Sequence, residues 1–82
     1  MVTLRLFAQA REAAGTGSDR FDETTVGGVI EAASARYGAA FVDLLPTCRV
    51  WKNGEPAARD DVLGDGDEVA VLPPVSGGCG WP

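Results

Sequence analysis

Val2-Thr3-Leu4-Arg5-Leu6-Phe7 alternates along the chain, with Val2, Leu4 and Leu6 on one face and Thr3, Arg5 and Phe7 on the other. That period of two predicts a strand with one buried face, on which Phe7 stands out as an aromatic on the polar side. Gln9 to Gly17 carries Ala and charged residues, then Gly15-Thr16-Gly17, and reads as a short helical turn or loop closing a hairpin. Ser18 to Glu23 reads as a second, weaker strand with Phe21 inward. Thr24-Thr25 offers an N-cap. Val26, Val29, Ile30, Ala33 and Tyr37 then fall at helical spacing and predict an amphipathic helix ending before Gly38. Gly27-Gly28 in its first turn is costly for a helix and implies close packing there.

Phe41 to Pro46 reads as a short apolar connector or a single turn, and Cys48 to Lys52 as a strand. Asn53-Gly54 predicts a tight type I′ turn. Glu55 to Ala58 is a brief return strand kept to an edge by Pro56. Val62-Leu63 is a small apolar plug, Gly64 to Asp67 a turn, and Glu68-Val69-Ala70-Val71-Leu72 the last strand. The first and last strands are the most apolar and are expected side by side at the centre. This order predicts an α+β fold: a mixed sheet of about five strands with one main helix packed on one face.

The 82 residues allow a single domain. The 45% apolar fraction is too high for disorder, and no apolar run reaches the length of a membrane span. The first residues do not resemble a signal peptide, so a cytoplasmic location is expected. With no His, catalysis by Ser–His or Cys–His pairs and imidazole metal sites are excluded. Two Cys, at positions 48 and 79, cannot form a four-thiolate site, and the cytosol disfavours a disulfide between them. Cys48, in a strand beside Val50, reads as a buried, inert thiol. A net charge of -5 repels nucleic acid and anionic membranes and favours basic protein partners. Asp65 to Glu68 superficially resembles a calcium loop, but Ser76 stands where the twelfth ligand would be. Gly15-Thr16-Gly17 lacks the residues of a phosphate loop.

The remaining signal is the C-terminus: Pro73-Pro74-Val75-Ser76-Gly77-Gly78, followed by Cys79-Gly80-Trp81-Pro82. Pro-Pro stops the last strand and projects the chain outward. The six residues from Pro73 to Gly78 reach roughly 20 Å when extended. Ser-Gly-Gly has almost no side-chain cross-section, so it can thread a narrow channel, and a terminal glycine leaves its carboxyl carbon unhindered. On Gly-Gly alone, a frayed terminus is the favoured reading.

Taken in order, these pieces resemble the sulfur-carrier proteins of the ubiquitin-like β-grasp group. The nearest type is the small, sulfur-carrying subunit of molybdopterin synthase (MoaD-like), related to the thiamine sulfur carrier. The resemblance rests on Phe7-Ala8-Gln9-Ala10-Arg11-Glu12-Ala13-Ala14-Gly15, on Thr25-Val26-Gly27 and on Val50 to Glu55 with Asn53-Gly54. It rests above all on Asp65 to Val69 leading into Leu72 to Gly78. It implies that the carboxylate of Gly78 is adenylated by an E1-like enzyme using ATP and converted by sulfide to a thiocarboxylate, with Gly77 beside it. The carrier is then a covalent co-substrate rather than an enzyme and binds no cofactor itself. Its sulfur would go to an acceptor such as the molybdopterin synthase large subunit or a biosynthetic synthase. Pro73, Pro74, Val75 and Ser76 would thread the partner, and Phe7, Leu72 and Pro73 would form an apolar docking patch, with Arg11 as a possible polar contact.

The chain departs from that family pattern at its end. Gly78 is followed by Cys79, so the working carboxylate must be released by cleavage between them, for example by a metal-dependent JAMM-type peptidase. The expected division is residues 1–72 as the β-grasp body, 73–78 as the tail and 79–82 as a removable extension. The alternatives are an artefactual extension, sulfur carried on Cys79, a ubiquitin-like modifier conjugated through Gly78, and a plain interaction domain.

Overall fold

The computed structural model describes residues 1–74. Nine elements follow in order: β1 (Val2–Leu6), α1 (Ala8–Ala14), β2 (Ser18–Phe21), α2 (Val26–Tyr37), α3 (Ala39–Leu44), a 3-10 turn (Leu45–Thr47), β3 (Arg49–Lys52), β4 (Glu55–Pro56) and β5 (Glu68–Leu72). The strands form one sheet in the order β2-β1-β5-β3-β4. β1 and β5 run parallel, and every other pair is antiparallel. This is the ubiquitin-like β-grasp architecture. As the patterning predicts, the two most apolar strands lie side by side in the interior of the sheet.

The alternation in β1 and β5 determines the layering. Val2, Leu4 and Leu6 of β1 and Val69 and Val71 of β5 are buried against the helices, as are Val26, Val29, Ile30 and Ala33 of α2. Phe41 of α3 is the largest fully buried side chain. The Tyr37 ring packs edge-on against Phe41 and Phe21, at 5.2 Å and 6.4 Å between centroids.

The first turn of α2 is held from outside the helix. Its free N–H groups would otherwise be orphaned. Val26 N–H donates to the carbonyl of Asp61 at 3.0 Å, Gly27 N–H to that of Arg59 at 2.8 Å, and Gly28 N–H to the Thr25 hydroxyl at 3.0 Å. The loop before β5 therefore lies directly on this turn, and a Cβ at Gly27 would sit 3.0 Å from the Arg59 carbonyl oxygen. The costly Gly27 thus marks the close approach that its position implies. Asn53 and Gly54 both have positive φ, 51° and 85°, as a type I′ turn requires.

Two local expectations are extended and one is corrected. The segment after β1 is not merely a turn or loop. It forms α1, which buries only Ala10 and closes on Gly15 in the left-handed region. A single buried alanine leaves no apolar stripe to read. The connector from Phe41 to Pro46 is also helical: α3 runs into a 3-10 turn with proline in its first positions. Finally, of the Val62-Leu63 plug only Leu63 is buried. Val62 is 70% exposed, and its backbone pairs with Thr25.

Candidate functional site

The helices cover one face of the sheet and leave the other open. Alternation and register define what that face presents. Opposite the half-buried Val50 and the buried Val69 and Val71, the strands carry Arg49 and Trp51 on β3, Ala70 and Leu72 on β5, and Arg5 on β1. Arg49 is paired with Leu72, and Trp51 and Arg5 flank Ala70. Leu72, Trp51 and Pro73 are half-buried and Pro74 is exposed.

Phe7 completes this face. It follows β1, and its N–H donates to the Val71 carbonyl at 3.3 Å, extending the β1–β5 pairing by one step. Its own carbonyl accepts from Ala10 and Arg11, which starts α1. Held at both ends of its backbone, Phe7 remains 41% exposed. The Arg5 guanidinium lies 5.9 Å from its ring centroid and also reaches Glu68 Oε2 at 3.3 Å. This places a cation on the aromatic face and a carboxylate at the edge of the patch.

Phe7 and Leu72, two of the residues the sequence singles out, therefore lie at the same end of adjacent parallel strands, where the chain leaves the sheet. Arg11 lies elsewhere on that end: its side chain rests against Gly17, on the β2 side of β1. Trp51 and Ala70 extend the patch, and the sequence reading missed both. The alternation of β3 around Val50 is their only signal, and the register that sets Trp51 beside Ala70 cannot be read from either strand alone. Val75, Ser76, Gly77, Gly78 and Cys79 lie outside the described residues.

Among the described residues, no buried reactive group competes with this surface. Among the described residues there is no group of three or more His, Cys, Asp or Glu suited to holding a metal ion. Cys48 is half-buried rather than fully buried, its thiol donates to the Leu44 carbonyl at 3.3 Å, and burial pushes its pKa up. That disfavours the thiolate, which is the reactive form. None of the described helices is long and apolar enough to cross a membrane.

Known proteins share this fold. The ThiS family model matches residues 4–78. The chain belongs to the ThiS family. Small archaeal modifier protein 1 of Haloferax volcanii is 38% identical over 84 residues, covering 90% of this chain and 97% of the relative. A molybdopterin synthase sulfur carrier subunit of Chlamydomonas reinhardtii is 40% identical over 77 residues, covering 88% and 92%. Among solved structures, SAMP1 from Haloferax volcanii superposes with a TM-score of 0.84 at 33% identity, covering 94% of this chain and 98% of that one. As a ThiS-family chain, the protein belongs with small carrier and modifier proteins.

Proposed function

We propose that this chain is a sulfur carrier whose working group is the carboxylate of Gly78, released by removal of residues 79–82. The observation that carries this reading is where the family match ends: it runs to residue 78 and leaves out the last four residues. The chain exits the sheet after Leu72, beside Phe7, so a docked partner would receive Pro73 to Gly78 directly from the patch.

The chemistry follows from the weakness of a carboxylate as an electrophile. The Gly78 carboxylate attacks the α-phosphorus of ATP on an E1-like enzyme, pyrophosphate leaves, and an acyl-adenylate forms. Sulfide attacks the carbonyl carbon, expels AMP with its electron pair and leaves the thiocarboxylate directly. When a persulfide attacks instead, AMP leaves and an acyl disulfide forms, which a second thiol reduces, releasing the thiocarboxylate and a disulfide on the donor. The product is a thiocarboxylate that passes its sulfur to an acceptor enzyme of molybdopterin or other sulfur-metabolite biosynthesis. ATP and any peptidase metal belong to partners, with a JAMM-type peptidase the natural candidate for trimming, and the carrier acts in the cytoplasm. A second reading, conjugation through Gly78 to lysines of other proteins, is favoured by the similarity to the Haloferax small archaeal modifier protein.

The test is ATP–pyrophosphate exchange by the activating enzyme encoded in the same genome. A chain ending at Gly78 should support exchange, the 82-residue chain should support it only after trimming, and a chain lacking Gly78 should not. Equal exchange with and without Gly78 would refute the reading.

A further inference from the structure

An activated carboxyl carbon is open to any amine, and the amines nearest to it are those of its own chain. A short tail holds its end near the attached domain at an effective concentration in the millimolar range, far above that of a second protein molecule. A carrier of this kind therefore risks acylating itself before a partner takes the acyl group.

The cations of this chain are arranged against that outcome. Of the 7 Lys and Arg residues, six are Arg and one, Lys52, is Lys. A guanidinium stays protonated at neutral pH and does not accept an acyl group. Arg49 sits directly opposite Leu72 at the root of the tail. The amines lie at the other end of the sheet. Because β3 runs antiparallel to β5, Lys52 is opposite Val69, three residues back from Leu72 and about 10 Å along the strand. Because β1 runs parallel to β5, Met1 lies at that same far end.

Both amines are also held. Lys52 falls on the helix-covered side with Val50, and its Nζ donates to the Val62 carbonyl at 2.9 Å, while its charge acts on the nearby Asp67 carboxylate. The Met1 amine is paired with the Asp65 carboxylate.

We propose that this placement guards the activated carboxyl of Gly78: arginine stands at the tail root, while the lysine and the Met1 amine are tethered at the opposite end of the sheet. The inference rests on Gly78 being the activated residue, as read above. The step it suppresses is attack of an amine nitrogen on the Gly78 carbonyl carbon. An amide C–N bond forms, the leaving group departs with its electron pair, and the amine gives its proton to solvent.

The test installs the activated group chemically and needs no activating enzyme. Residues 1–78 are prepared as a C-terminal thioester by intein cleavage, in wild-type form and as Arg49→Lys. This removes only residues 79–82, which lie outside the described residues, and a matching circular dichroism spectrum checks that each thioester is folded. At low micromolar protein the lactam, which has lost the thiol, is followed by intact mass, and its linkage is mapped by peptide digestion. Arg49→Lys should form lactam through position 49 at least about tenfold faster than wild type, as a millimolar local concentration allows, while wild type should decay mainly by hydrolysis. Lactam formation through Lys52 in wild type at the rate of the variant would overturn the proposal. So would a folded variant that forms lactam no faster than wild type. A failure of ATP-dependent activation at Gly78 shows in the exchange assay alone, so the two ideas fail separately.

Discussion

The Tyr37 hydroxyl donates to the Asp19 carboxylate at 2.7 Å and ties the last turn of α2 to β2. Arg36 adds a 3.0 Å contact to the same carboxylate and lays its guanidinium 4.2 Å from the Phe21 ring centroid. One end of the main helix is thus fastened by hydrogen bonds over the aromatic cluster of Phe21, Tyr37 and Phe41. Tyr37→Phe keeps the ring and removes the bond, and should cost about 1 kcal/mol. Urea unfolding of the two proteins at neutral pH measures it, and an unchanged midpoint would show that the bond contributes nothing.

The same contact fixes the sign of a pH effect. The Tyr37 hydroxyl, and after it Arg36, hold the Asp19 carboxyl below its ordinary value. The Gly64 N–H, then the Asn53 side chain, do the same for Asp67. A lowered carboxyl pKa contributes stability above the unfolded-state value and loses it as pH falls through the folded-state value. Stability should therefore decline on the acid side of the ordinary carboxylate range. The cost of Tyr37→Phe should shrink in that window, because a protonated Asp19 accepts a weaker bond. Urea titrations across acid pH check this, and a cost that stays constant or grows as pH falls contradicts it.

Phe7→Asp should weaken partner binding while leaving the domain folded. Phe7 is the residue preceding α1, with extended φ and ψ of -124° and 149°, and its side chain makes no capping bond. Asp is a favoured residue at that position, so the substitution adds a cap as it removes the exposed ring. The thermal midpoint should move by only a few degrees, in keeping with the small effects of surface changes. Binding to the activating or acceptor partner, measured by calorimetry, should fall at least about tenfold, a loss of about 1.4 kcal/mol. Unfolding of the variant would place Phe7 in the core, and unchanged affinity would remove it from the docking face.

Gly27→Ala tests the seam between α2 and the loop before β5. In an open helix this change gains up to about 1 kcal/mol. Here the new Cβ would press on the Arg59 carbonyl that accepts from Gly27 N–H at 2.8 Å, so a net loss of about 1 kcal/mol is expected. Denaturant unfolding reads the sign directly, and a gain would mean that the loop yields freely.

Strong local chemistry made much of the fold legible. The alternation of Val2, Leu4 and Leu6, the spacing of Val26 to Tyr37 and the Asn53-Gly54 turn each have one good structural solution. Elements with weak or uniform patterning were harder. α1 buries one alanine, and α3 lies in a stretch apolar enough to suit either a helix or an irregular plug. Phe7 was recognisable because it broke a polar face. Trp51 was not, because its place in the patch depends on pairing with a strand that follows it by almost twenty residues. The proposed tail chemistry rests on residue type and order rather than geometry, since Gly77 and Gly78 would act through backbone atoms and carry no side chain to place.

The most direct test of the central claim is the intact mass of the carrier after incubation with ATP, a sulfur donor and the activating enzyme and peptidase of its own genome. The sulfur-carrier account predicts a species ending at Gly78 in which one oxygen is replaced by sulfur, absent when ATP is omitted. A trimmed chain that keeps both carboxylate oxygens under full activating conditions, or sulfur found only on Cys79, would contradict it.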